Sequence, residues 1–476
     1  MQRNLLNILL AVAVIATVGA CKKLTTVSAP LTSLNAANVY DNDATAAAVL
    51  TGIYTNMSVD NQLSSSGLTR MYFYPALSAD ELTLFNLNDA NLFPYYSNSL
   101  TSYSPTFWTD IYKYVFVANS AIEGLDGSSG LTPAVKQQLM AEAEFVRAFC
   151  NFYLVNVYGD VPLVTTTNYK TTSVLARTSA AQVYQQIIAD LQSAVSLLNG
   201  SFLQSDAMTP YPASQAQRVR PTQMAAQALL ARTLLYTRDY AGADSMATAV
   251  INSPNLSLNS LDSVFLMNSR ETIWSLQPVG RGAHTNTGEG YYFILPPTGP
   301  NASPNEVYLS DFLLSSFEPG DQRRTAWVDS AEVGGVTYEY PYKYKIGAVI
   351  TATQEYIMVL RLGEQYLIRA EARAQEGNLA GSAADLNVIR ARAGLPTTTA
   401  TTQPALLAAI LHERQVELFT EWGHRWFDLK RTGNINSVMS VVTSQKGGTW
   451  SPTDSLYPIP ESERTLDPNL VQNAGY

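Results

Sequence analysis

The 476 residues carry 30 Lys and Arg against 39 Asp and Glu, a net charge of −9, which speaks against nucleic acid and anionic headgroups as partners, since both reward basic side chains. Three histidines and two cysteines make transition-metal catalysis a poor fit, and the length is ample for one elaborated domain or two. Charged residues make up 14% of the chain, while 27 tyrosines outnumber the 15 Phe and 6 Trp together, favouring surfaces that are apolar on a ring face and hydrogen-bonding at its tip.

Arg3 precedes an apolar run over residues 5–18, interrupted by Asn7 and Thr17 and followed by Gly19, Ala20 and Cys21. A membrane-spanning helix needs about 20 apolar residues, so the run suits a secretory signal. Val18-Gly19-Ala20-Cys21 has the form of a lipobox, in which small residues admit the signal peptidase and the Cys21 thiol takes the lipid. An ordinary signal peptide with a chance cysteine is the alternative. Diacylglycerol plus an acyl chain, at about 0.8 kcal/mol per buried methylene, would tether the protein to a membrane surface without crossing it. The expected division is a signal peptide over 1–20, a lipid-anchored tether over 21–37 and one body over 38–476. The body has a helical half to about 253 and a second half from 254, with a loop and strand insertion over 254–357. Losing Arg3 leaves a net charge of −10, and only Cys150 remains, so no intramolecular disulfide can form. Cys150 lies in an apolar stretch, as a small buried thiol would.

Alanine-rich apolar spacing predicts a helix over 38–58. Ser104-Pro105 opens a second, with Trp108, Ile111, Tyr112, Val115 and Ala118 as its stripe. Thr132-Pro133 starts a third, with Thr132 as cap, running to about Tyr158. Residues 178–199 and 221–236 continue the series. Two segments carry a tetratricopeptide-like hairpin pattern: Ala231 and Ala243 around Asp239-Tyr240, then Ala370 and Ser382 around Gly377-Asn378, 139 residues later. Small residues let the two helices approach, and the turn takes Gly, Asp or Asn. The fold class is mainly α, a helical-hairpin scaffold with a loop-rich insertion of short strands. Within that insertion Val333-Gly334-Gly335-Val336 is a hairpin signal.

In the second half, Glu364 leads to Tyr366-Leu367-Ile368-Arg369-Ala370-Glu371-Ala372, then Arg392-Ala393-Gly394-Leu395, Glu413-Arg414, Arg425-Trp426, Asp428-Leu429 and Arg431-Thr432-Gly433. The chain closes with Tyr457-Pro458-Ile459-Pro460, Asp467-Pro468-Asn469-Leu470 and Gly475-Tyr476. In the first half Trp108, Tyr112, Arg147-Ala148-Phe149, Tyr158-Gly159-Asp160-Val161-Pro162, Arg220-Pro221 and Leu230-Ala231-Arg232 keep the order. This pattern resembles the SusD/RagB family of outer-membrane nutrient-binding lipoproteins; Gly363 stands where the family pattern has Ala. The resemblance implies an anchored helical body facing the cell exterior that captures glycans, or in some members peptides. It also implies a partner, a TonB-dependent SusC/RagA-like barrel transporter.

For an enzyme the signals are poor. His412-Glu413-Arg414-Gln415-Val416 lacks the second histidine of a zinc-protease helix, and no nucleophile elbow, P-loop or dinucleotide fingerprint occurs. No cofactor is called for beyond the lipid on Cys21; whether calcium sits among loop carboxylates, and whether two of them form a hydrolytic pair, depends on three-dimensional separation. Arg414, Glu417, Glu421, Arg425 and Asp428 recur at helical spacing, either as a substrate clamp or as an ion-pair network holding the C-terminal segment. Leu418, Trp422, Trp426 and Leu429 make the adjacent apolar stripe. Ligand capture calls for aromatic plates beside hydrogen-bonding groups. Two loops combine them: Phe85, Asn88, Asp89, Phe93, Tyr95 and Tyr96 in one, and Arg281, His284, Glu289, Tyr291 and Tyr292 in the other, with Trp327 and Tyr72 as lesser candidates.

Overall fold

A computed structural model describes residues 39–59, 68–279, 285–348 and 351–476. Cys21 and its tether, Arg281 and His284 fall outside the described residues.

The body is mainly helical, as its periodicity requires. Helix α1 (Asp43–Ser58) starts where the Asn42 side chain accepts the amide of Ala44. Helices α2 (Trp108–Asp126), α3 (Pro133–Tyr158) and α4 (Ala180–Leu197) follow, α3 packing against both of its neighbours. Helix α2 begins at Trp108 rather than at Ser104-Pro105, and Thr132 makes no side-chain cap. Ser179 does cap α4, its hydroxyl accepting the Gln182 amide. In α3 Cys150 is fully buried, and desolvation pushes its thiol up out of the reactive range.

Helices α5 (Gln223–Tyr236) and α6 (Tyr240–Ile251) form one hairpin; α7 (Leu362–Gln375) and α8 (Leu379–Arg392) form another. The two turns are built alike. Asp239 accepts the Gly242 amide at 3.0 Å, and Asn378 accepts the Gly381 amide at the same distance. The left-handed position is Gly377 (φ +82°) in the second hairpin but Arg238 (φ +65°) in the first. Ala231, Ala243, Ala370 and Ser382 are all sealed, so helices meet where small residues permit. Although 139 residues separate the copies, α6 packs directly on α7. Arg373 reaches Asp244 across the seam at 3.2 Å, and Arg369 reaches the Thr248 hydroxyl at 3.3 Å.

The intervening excursion is closed by an antiparallel pair, β2 (Thr272–Leu276) with β6 (Ile357–Arg361). Two further pairs lie outside that stem: β1 (Leu82–Leu84) with β3 (Val307–Leu309), and β4 (Val328–Val333) with β5 (Val336–Pro341). Gly334 and Gly335 both take positive φ, as a two-residue hairpin turn of the primed type needs.

After α9 (Gln403–Glu417) the expected continuous ladder breaks: Thr420 (φ +53°), Trp422 (φ +46°) and Gly423 (φ +74°) turn the chain before α10 (His424–Arg431) and α11 (Ile435–Gln445). The charges therefore do not pair along one helix. Arg414 holds Asp428 at 2.7 Å. Glu417 receives Arg361 (2.6 Å), Arg323 (2.9 Å) and Arg392, while Glu421 receives Arg361 (2.7 Å) and Lys343 (2.6 Å). All of these groups but the half-buried Arg392 are buried, so the cluster ties α8, α9 and the excursion together rather than clamping a ligand. Leu418, Trp422, Trp426 and Leu429 are all core residues, and the Tyr476 phenol docks on the Leu456 carbonyl at 2.8 Å.

Candidate functional site

The β1–β3 pair generates the most ligand-like surface. Thr83 lies opposite Tyr308, and one step on the Phe85 amide donates to the Glu306 carbonyl at 2.9 Å. Opposed residues share a face and alternate residues repeat it. Thr83, Phe85, Glu306 and Tyr308 therefore look one way, while Leu82, Leu84, Val307 and Leu309 are buried on the other side. Tyr338 of β5 closes the row edge-on, its ring 6.1 Å from Phe85 and 5.2 Å from Tyr308. Phe85 is 44% exposed; Tyr308 and Tyr338 are half-buried. Further along, Tyr342 lies under the Lys345 ammonium at 4.0 Å, and Arg324 pairs with Glu339.

Polar groups flank the rings. Asn88 is exposed, and Asp89 is half-buried with its carboxylate taking the amides of Asn91 and Leu92, each at 2.8 Å. Glu306 is only 4% exposed, and its Oε2 has no hydrogen-bond partner among the described residues. Burial above all, then the charge of Asp89, pushes its carboxyl up to about 8, with Arg70 opposing. At neutral pH Glu306 is therefore largely a protonated hydroxyl donor beside the rings.

The strands are held from behind. Asp80 takes two hydrogen bonds from Arg425, at 2.8 and 2.6 Å, and Glu81 takes the Thr420 amide at 3.1 Å. Ser310 returns its amide to the Glu81 carbonyl (3.0 Å) and its hydroxyl to that of Asp80. The Lys446 ammonium donates to the carbonyls of Leu77 (2.7 Å) and Ala79 and lies 4.9 Å over the Tyr96 ring. Thus α10 and α11 fix where β1 leaves the core.

The two loops expected from sequence come together only in part. Asn305, next to Glu306, donates to the carbonyls of Tyr291 (3.1 Å), Tyr292 (3.1 Å) and Ile294 (3.0 Å), and so joins the second loop to the strand face. Phe85 and Asn88 stand at the surface, and Asp89, Phe93 and Tyr291 are half-buried. Three expected contacts are corrected. Tyr95 stacks on Tyr74 at 4.4 Å with its hydroxyl on the Pro105 carbonyl; Tyr96 is buried beneath Lys446; Tyr292 is buried under the Arg70 guanidinium at 4.0 Å. Glu289, Trp327 and Tyr72 are buried as well, with the Trp327 indole donating to Leu261 at 2.9 Å. Aromatic clustering alone does not separate plates from core. The unexpected members, Glu306, Tyr308 and Tyr338, lie in Glu306-Val307-Tyr308-Leu309 and Thr337-Tyr338-Glu339-Tyr340, where period-two alternation is the signal that points to them. Among the described residues no group of three or more His, Cys, Asp or Glu could hold a metal ion.

Comparison with known proteins agrees with this architecture. A family model described as the SusD family matches residues 315–476, and a SusD-like one described as starch-binding associating with outer membrane matches 34–235. SusD-like protein P25 of Formosa agariphila is 25% identical over 433 residues, 78% of this chain and 79% of its own. A SusD-like protein of Bacteroides ovatus is 26% identical over 372 residues, 68% and 64%. Among solved structures, a SusD-like protein from Bacteroides fragilis superposes with a TM-score of 0.76 at 20% identity, covering 94% of this chain and all of that one (100%). A laminarin binding SusD-like protein gives 0.74 at 23% (92% and 100%), and surface glycan-binding protein A from Bacteroides thetaiotaomicron 0.76 at 20% (92% and 100%). With one SusD model matching residues 315–476 and a SusD-like one matching 34–235, and SusD-like relatives aligned over most of the chain, the protein belongs to the SusD/RagB family.

Proposed function

We propose that the protein is a non-catalytic binder, lipid-anchored through Cys21 in the outer membrane and facing the exterior, that captures glycans and passes them to a TonB-dependent SusC/RagA-like barrel. The observation that carries this reading is the row Phe85, Tyr308 and Tyr338 on adjoining strands, with Glu306, Asn88 and Asp89 beside it. A pyranose offers C–H bonds on its face and hydroxyls round its edge; ring faces meet the first, and carboxyl and amide groups meet the second. The description of one family model as starch-binding, and relatives named for laminarin and surface glycans, support the same ligand class.

Calorimetry on a panel of neutral and acidic oligosaccharides, with peptides as the competing class, tests it. Replacing Phe85 and Tyr338 together by alanine should remove two plates at about 1 kcal/mol each, near a thirty-fold loss of affinity. Binding of peptides alone, an unaffected double variant, or steady release of sugar by the purified protein would each overturn the reading. Extraction in mild detergent tests the barrel, which should co-purify in stoichiometric amount.

A further inference from the structure

Away from the strand face, α5, α7, α9, α10 and α11 surround a cavity of about 740 Å³, within the range of built ligand sites. Leu407 and Leu411, one turn apart on α9, line it together with Leu429 of α10 and Val438 of α11. Its polar side is cationic: Arg238, Arg425 and Arg431 against the single carboxylate of Glu371, in a chain of net charge −9. Arg425 is committed to Asp80, and Arg431 to Glu371 (2.5 Å) and Asp428 (2.8 Å). Arg238 is exposed and makes no ion pair among the described residues. It also holds the left-handed turn position that Gly377 fills in the twin hairpin, a conformation disfavoured for a side chain. The Tyr236 hydroxyl, on the cavity lining, is shielded from solvent and has no hydrogen-bond partner among the described residues; nor do both terminal nitrogens of neighbouring Arg414.

We propose that this cavity is a docking groove for an acidic amphipathic helix of a partner protein, with leucine-type side chains against Leu407, Leu411 and Val438, and carboxylates meeting Arg238. Helical anchors one turn apart suit an apolar slot between helices, and the unpaired cation sets the sign of the flanking charge. The chain's own undescribed segments hold a single acidic residue, Asp60, so the occupant is another chain.

Two synthetic peptides of about 18 residues, with the same leucine face and flanked either by Glu or by Lys, are titrated calorimetrically into the full mature protein. The Glu peptide should bind and the Lys peptide should not. Arg238→Gly should weaken binding about tenfold without lowering the melting temperature, because glycine suits that backbone. Leu407→Asp should abolish binding. Equal binding of both peptides, no binding of either, or an Arg238→Gly protein that binds as tightly as the parent would overturn the proposal.

Discussion

Glu417 is the most connected carboxylate of the buried cluster, and neutralising it gives the sharpest test of how the two halves are held. Its oxygens receive Arg361 at 2.6 Å, Arg323 at 2.9 Å and Arg392. In Glu417→Gln no guanidinium is stranded. Arg323 keeps Asp321 and Glu413, Arg361 keeps Glu271 and Glu421, and Arg392 keeps Glu271. Breaking a buried ion pair costs about 3–5 kcal/mol. Glutamine retains one acceptor oxygen, so the loss should fall at the low end, about 3 kcal/mol; Glu417→Leu, which retains none, should reach about 5 kcal/mol. Burial alone would raise the Glu417 pKa, but Arg392, Arg361 and Arg323 overcome it and hold the group well below 4.5. Its stabilisation is therefore present above about pH 4.5 and lost as pH falls through the folded pKa, because there the unfolded chain takes the proton first. Urea unfolding followed by tryptophan fluorescence at pH 7 and pH 4 measures both effects. The gap between parent and Glu417→Gln should narrow at the lower pH. A loss under about 1 kcal/mol at pH 7, or a gap that ignores pH, would refute the reasoning.

Glu306→Gln should raise the melting temperature more at pH 8 than at pH 5. The folded carboxyl titrates at about 8 against 4.5 when free, so its contribution is present below 4.5 and disappears as pH rises through 8; a gain equal at both pH values would count against this. Gly377→Ala should cost about 1 kcal/mol from the left-handed backbone alone, since an added Cβ would meet no atom within 4 Å; denaturant titration reads it directly. Cys21→Ala should move the protein from the membrane to the soluble fraction on cell fractionation, and retention without the barrel would refute the anchor.

Helices were legible wherever an apolar period coincided with a stop signal. The helix from Pro133 to about Tyr158 is legible because proline opens α3 and Gly159, with φ +75°, follows its end. The hairpin turns were equally plain, their Asp239 and Asn378 caps being local chemistry. The break after Glu417 was not, although Gly423 marks it: the turn rests on Thr420 and Trp422 in left-handed conformations that a dense tertiary charge cluster sustains. Aromatic loops were legible as regions, not as surfaces. Tyr95 and Phe85 look alike in sequence, and only the packing of Tyr74 and Tyr457 against Tyr95 sends one inward while Phe85 stays out. The coupling of Glu306 to Asp89 is not legible, because the two are distant along the chain.

The excursion between the twin hairpins leaves and re-enters through the β2–β6 clasp, while its neighbours α6 and α7 are already in contact. Such a clasp makes the enclosed stretch an exchangeable cartridge. Its exposed length and rings can vary without disturbing the helical seam, provided Arg323 and Lys343 still reach Glu417 and Glu421 and one edge still zips to β1. Altering what the strand face binds would then need grafting between the two clasp strands that spares those two anchors.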